Sequence, residues 1–114
     1  LEKKELLFII LNDEAHVDDL LIELDKAGIR GGTILDSQGM AQTLVEHSIG
    51  VSYKNLRTML SGGRPYNKTM FLLLDGDRVE LAKDCVRKVV GDIDDENVGI
   101  MFTVPVSSVE GLTK

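Results

Sequence analysis

Two stretches of this chain carry the same order of apolar runs, and the stretch between them does not. Residues 5–36 read as strand, helix, strand, and residues 69–105 read the same way again. Residues 5–11 are a short continuous apolar run, the pattern of a strand inside a sheet. Val17, Leu20, Leu21, Leu24 and Ala27 then recur at helical spacing. Asn12 or Asp13 stands where a side chain accepts from the free N–H groups of a helix start. Gly28 stands where a left-handed residue ends one. Residues 33–36 form a short second strand.

In the second half, residues 70–74 predict a strand and residues 98–104 another. Between them Val79, Ala82, Cys85, Val86 and Val89 form an apolar stripe that Gly91 ends. Asp77 is the expected cap, with Glu80 three residues later in the reciprocal capping pattern. Pro105 lacks the N–H that a ladder needs and is expected to stop the last strand. Aligning the halves places Phe8 on Phe71, Leu11 on Leu74, Asn12 on Asp75 and Val17 near Val79, a weak internal symmetry. Two β-α-β units with right-handed crossovers predict an α+β, ferredoxin-like βαββαβ sandwich. It has a four-stranded antiparallel sheet with two helices on one face. One domain over residues 1–114 is expected. The second face of such a sheet needs cover, which points to a homo-oligomer.

The segment 37–68 interrupts this frame between strands 2 and 3. Long loops inside compact domains usually carry function or are disordered. Lys54, Arg57, Arg64 and Lys68 face a lone Glu46 there, a local excess of three positive charges. The whole chain is −6, so the remainder carries −9. A basic segment on an acidic body attracts an anionic ligand or an acidic surface; a solvated loop would also carry such lysines. Leu56, Met59 and Leu60 suit a short helical turn, and the run from Ser61 to Pro65 is a breaker cluster. Arg64, Tyr66, Asn67 and Lys68 bring a guanidinium, a phenol, an amide and an ammonium within five residues. Strand alternation would place only some of them on one face. Gln38, Gly39 and Met40 leave the second strand, and Gly39 permits close backbone approach to a ligand.

Composition narrows the classes. Aromatic residues are 4% with no Trp, so the core is aliphatic. A net charge of −6 argues against nucleic acid held through phosphate neutralisation. The longest apolar run is too short to enter and span a bilayer, and no signal-peptide pattern precedes it. A lone cysteine, Cys85, rules out an intrachain disulfide and fits a reducing cytoplasm. Its place on the helix stripe reads as a packed thiol. His16 and His47 have no partner at metal-ligand spacing. The acidic run Asp92, Asp94, Asp95, Glu96 lacks the glycine and glutamate of a calcium loop and reads as a solvated turn. Neither a phosphate-binding loop signature nor a catalytic cluster is visible, so an enzyme is the weaker reading.

Three segments together resemble the nitrogen regulatory protein P-II superfamily, across nearly the whole chain. Gly32-Thr33-Ile34-Leu35-Asp36-Ser37-Gln38-Gly39-Met40 looks like the strand that enters the family's T-loop. Residues 68–74 look like the strand that leaves it. Gly99-Ile100-Met101-Phe102-Thr103-Val104-Pro105-Val106-Ser107-Ser108-Val109 is similar to the family's final strand and its continuation. The resemblance implies a ferredoxin-like homotrimer and makes residues 37–68 the T-loop. The family binds ATP or ADP and 2-oxoglutarate in clefts between subunits and regulates partner proteins through that loop. Two departures bear on the ligand. The family's phosphate-binding glycine-rich loop ends in lysine before the last strand; here Gly99 is retained and Ile100 takes the lysine position. The tail Glu110-Gly111-Leu112-Thr113 lacks the family's arginines. Both count against the usual nucleotide site, so the bound cofactor is left unnamed.

The expected function is therefore a non-catalytic, P-II-like regulator. It senses a small anion between subunits, through Gln38, Gly39, Met40, Arg64, Tyr66, Asn67, Lys68 and Gly99, and acts on a partner protein through residues 37–68. The alternatives are a metal-binding trimer like CutA, which shares the fold, and a small enzyme whose site is shared between subunits.

Overall fold

The computed structural model describes residues 3–40, 67–95 and 98–112. The helical turn expected around Leu56, the breaker cluster, His47, Arg64 and Tyr66 lie outside the described residues.

Strand β1 spans Lys4–Leu11, helix α1 Glu14–Lys26 and strand β2 Thr33–Ser37. Strand β3 follows at Asn67–Asp75, helix α2 at Val79–Val90 and strand β4 at Gly99–Val106. The four strands form one antiparallel sheet in the order β2-β3-β1-β4, with both helices packed on one face. This is the ferredoxin-like α+β sandwich that the element order predicts.

Each strand alternates faces, as its two-residue period requires. Leu7, Ile9 and Leu11 of β1 and Met70, Leu72 and Leu74 of β3 turn inward and are buried. Val17, Leu20 and Leu24 of α1 and Val79, Ala82, Cys85 and Val86 of α2 close over them. Each fully buried Leu, Ile or Val contributes about 1.5–3 kcal/mol. Burial also raises the Cys85 thiol above its ordinary value, so it stays protonated in the core.

The helix ends show how local sequence places these elements. Asp13 caps α1 by accepting from the Ala15 N–H at 3.0 Å. At the other end Gly28 takes the left-handed conformation, φ 80°. Its N–H donates to the Asp25 carbonyl at 3.0 Å, and the Ile29 N–H reaches back to Leu24 at 2.8 Å. These two bonds, with the buried Leu24–Ile29 pair, form a Schellman ending. Arg78 adds a guanidinium bond to the Ala27 carbonyl at 3.0 Å.

Two expectations are corrected. Asp77 does not cap α2. The chain leaves β3 tied down by the Lys4–Asp75 ion pair and by the Gly76 N–H on the Lys3 carbonyl at 2.8 Å. One 3-10 turn, Gly76–Arg78, is thereby interposed, and α2 starts at Val79 without a side-chain cap. Pro105 does not stop the last strand either, because β4 runs through it to Val106. β4 is an edge strand, where the missing N–H of a proline costs no ladder bond if it faces outward.

Among the described residues no helix lies over the second face of the sheet. Phe8 lies at its middle, paired in register with both Phe71 and Phe102. Its ring is 5.9 Å from that of Phe71 and stacks on that of Phe102 at 4.9 Å. Leu35, Ile100, Phe102 and Val104 expose large apolar area.

Candidate functional site

One end of the sheet gathers most of the residues that the sequence singles out. Register pairs align Asp36 with Lys68, Lys68 with Leu11, and Leu11 with Gly99, one row across all four strands. The row sits where β2 ends, β3 begins, β1 ends and β4 begins. Both roots of the 37–68 segment therefore lie at the same end of the sheet as the start of the last strand, with β1 between them and it. The Asn12 N–H extends the contact by donating to the Val98 carbonyl at 3.2 Å.

β3 starts three residues before the expected Met70, so Asn67 and Lys68 are strand residues. Alternation then sends them to opposite faces. Lys68 lies on the helix side and pairs with Asp36 across the strands and with Glu14 in the first turn of α1, the latter at 3.5 Å. The hydrogen bond to Asp36, with the Glu14 charge in support, raises the Lys68 ammonium above its ordinary value. Any anion that reaches Lys68 meets a cation already engaged by two carboxylates.

Asn67 lies on the open face, opposite Ser37. Ser37 Oγ is bonded to the Asn67 side-chain oxygen and is 2.7 Å from Thr69 Oγ1. One hydroxyl has one proton to give. Ser37 therefore donates to Asn67, and Thr69 donates to Ser37. This chain of hydroxyls and an amide ties the last residue of β2 to the first residues of β3.

Gly99 opens β4 against β1. A Cβ there would stand 2.2 Å from the Ile10 carbonyl oxygen and 3.0 Å from Leu11. The close approach of two backbones requires glycine at this position, whatever else Gly99 touches. Gln38 and Gly39 follow β2 directly, and Met40 is 82% exposed beside them. Arg64 and Tyr66 lie outside the described residues, so their place relative to this row is not part of the geometry.

Sequence reasoning passed over Glu14 and Thr69 as site residues. Their signal lay in the facing polar sets Asp36-Ser37 and Asn67-Lys68-Thr69, which pair only once the register is known. Among the described residues no group of three or more His, Cys, Asp or Glu side chains is placed to hold a metal ion. No described helix is long and apolar enough to cross a membrane.

No protein-family profile matches the chain, and no curated protein matches it. Solved structures do. A crystal structure described as Arabidopsis thaliana PII bound to citrate superposes with a TM-score of 0.63 at 18% identity, over 93% of this chain and 79% of that one. The chain has the PII fold. At that identity the likeness concerns the architecture of the sheet and its two helices.

Proposed function

We propose that this protein is a non-catalytic, PII-like regulator that senses a small anion at clefts between subunits of a homotrimer. The observation that carries the reading is the row Asp36–Lys68–Leu11–Gly99, which sets both roots of the 37–68 segment at the same end of the sheet as the start of the last strand. A ligand seated at this end touches Gln38, Gly39 and Met40 on one root and Lys68 on the other, with Asn67 anchoring that root from the opposite face of β3. Arg64 and Tyr66, just ahead of β3 in the sequence, complete the set.

The face built around Phe8, Phe71 and Phe102, which no described helix covers, supports the assembly, since three copies turning it inward would bury its exposed apolar side chains. The structural neighbour with citrate bound supports an anionic ligand. With Ile100 where the family has lysine, Arg64 and Lys68 supply the charge-assisted bonds. Lys68 gives up one of its carboxylate partners on binding. Releasing Asp36 or Glu14 alters the root of the segment, and the favoured conformation of 37–68 then engages a partner protein.

Calorimetric titration of the full chain with citrate, 2-oxoglutarate, ADP and ATP, beside sedimentation analysis, tests this. The expected result is a trimer that binds one of these anions saturably, with affinity lost in Arg64→Ala and Lys68→Ala. A monomer, or binding that survives both substitutions, overturns it.

A further inference from the structure

A second hollow lies on the helix side, at the other end of α1 from Glu14. It is a cavity of about 350 Å³ between the C-terminal half of α1, the loop that follows it, and β2 and β3. Small-ligand sites run from roughly 300 to 1,000 Å³ and are mostly apolar with a few placed polar groups. Leu21, Leu24, Ile29, Ile34, Met70 and Leu72 line this one. Leu24, Ile29, Met70 and Leu72 are buried core residues, whereas Leu21 and Ile34 remain 42% exposed at the opening. The floor of the hollow is therefore core side chain and its mouth is accessible.

The remaining lining is Asp25, Arg30, Gly31 and Gly32. The Arg30 guanidinium Nε sits 2.8 Å from Asp25 Oδ1, and the two side chains are 77% and 65% exposed. So one anion and one cation stand side by side at the lip of an apolar hollow. A simple anion drawn to Arg30 meets Asp25, and a simple amine drawn to Asp25 meets Arg30. A ligand that carries an ammonium and a carboxylate on one carbon matches both. Exposed ion pairs of this kind contribute little on their own, so exchanging it for two ligand contacts costs little. Gly31 and Gly32 keep the lip free of side chains. A Cβ on Gly32 would stand 2.5 Å from Leu72 Cδ2, so a larger residue there would push that wall residue.

We propose that this hollow binds a small aliphatic α-amino acid, with its side chain inward and its ammonium and carboxylate on Asp25 and Arg30. The site shares no residue with the row at Asp36 and Lys68, so it would report a second metabolite signal independent of the anion cleft. The Schellman ending at Gly28 ties its wall to the C-terminus of α1, and Arg78 ties that terminus to the turn before α2.

The test is an amide-resolved NMR titration of the full chain with L-leucine, 4-methylpentanoate and isopentylamine as probes. 4-Methylpentanoate keeps the carboxylate and the whole carbon chain without the ammonium, and isopentylamine keeps the ammonium without the carboxylate. Leucine is expected to shift the amides of residues 24–32 and 70–72 saturably, with both half-ligands weaker by about threefold or more. Asp25→Ala and Arg30→Ala, both at exposed positions, should each weaken leucine by a similar factor without changing the thermal midpoint. Ile34→Glu should abolish binding by charging the wall. No saturable shift with leucine, equal binding of the half-ligands, or full affinity in the Asp25 and Arg30 variants overturns the proposal. Because the readout is at residues 24–32 and not at 36–40, its failure leaves the anion cleft untouched, and the reverse holds too.

Discussion

Phe8 and Phe71 face each other directly across the central ladder, and an approximate two-fold axis passes between them. The axis exchanges β1 with β3 and β2 with β4, as the order β2-β3-β1-β4 requires. It is the same correspondence that aligns the two halves of the sequence, Phe8 on Phe71 and Leu11 on Leu74. The repeat thus puts an aromatic pair at the centre of the open face. Phe102, in register with Phe8 on the outer strand, completes an aromatic row there.

That row makes the interface directly testable. Phe102 is 42% exposed, so replacing it leaves the helix-side core intact. Phe102→Lys should place a charge on the proposed contact and shift the protein to monomer, read by light scattering after size exclusion. An unchanged assembly with the lysine in place would show that the copies meet elsewhere.

Gly99→Ala should destabilise the fold. The new Cβ would fall 2.2 Å from the Ile10 carbonyl oxygen, a backbone atom that cannot rotate away. Overpacking of this kind costs about 1–3 kcal/mol. Urea denaturation should show a lower midpoint with an unchanged slope. A variant as stable as the parent would mean that β4 can part from β1 at this end without loss.

Glu23 should set an acid limit on stability. It joins the two helices by bonding Lys88 of α2 at 3.1 Å and Lys26 of its own helix at 3.5 Å. The hydrogen bond to Lys88, helped by the Lys26 charge, holds its carboxyl below the ordinary value of 4.5. A lowered value means that the folded state binds the proton less readily than the unfolded one. The resulting stability is present above pH 4.5 and is lost as pH falls through the folded-state value. Denaturation midpoints measured from pH 7 to pH 3 should fall more steeply for the parent than for Glu23→Gln. Parallel curves would remove Glu23 as a contributor.

Arg78→Ala should loosen the junction between the two halves of the fold. Its guanidinium caps the Ala27 carbonyl at the end of α1, and losing a bond to a charged donor costs about 1.5–3 kcal/mol. Hydrogen exchange should quicken at residues 24–29 before it does in β1. Uniform acceleration would mean that Arg78 acts on the fold as a whole.

The sheet-end row shows where sequence reasoning stopped. The roots at Gln38–Met40 and Asn67–Lys68 were visible as glycine and polar clusters flanking apolar runs. That Lys68 turns to Asp36 and Glu14 while Asn67 turns to Ser37 was not, since the partners of each pair lie 30 or more residues apart in sequence. The pairing of Arg30 with Asp25 across a helix ending was equally hidden until the Schellman turn brought the loop back over Leu24.

The order of the helices and strands, the Gly28 and Gly91 endings and the aliphatic core were legible in the chain alone. They rest on spacing and capping within a few residues of each position. Which face each residue of β2 and β3 took, why Pro105 is tolerated inside β4, and why Asp77 lost the cap to a 3-10 turn came from the assembled sheet. Register couples residues distant in sequence, and a slip of one residue reverses every side chain on a strand. No local pattern carries that choice. It is made when Phe8 meets Phe71 and the buried faces of β1 and β3 close under the helices.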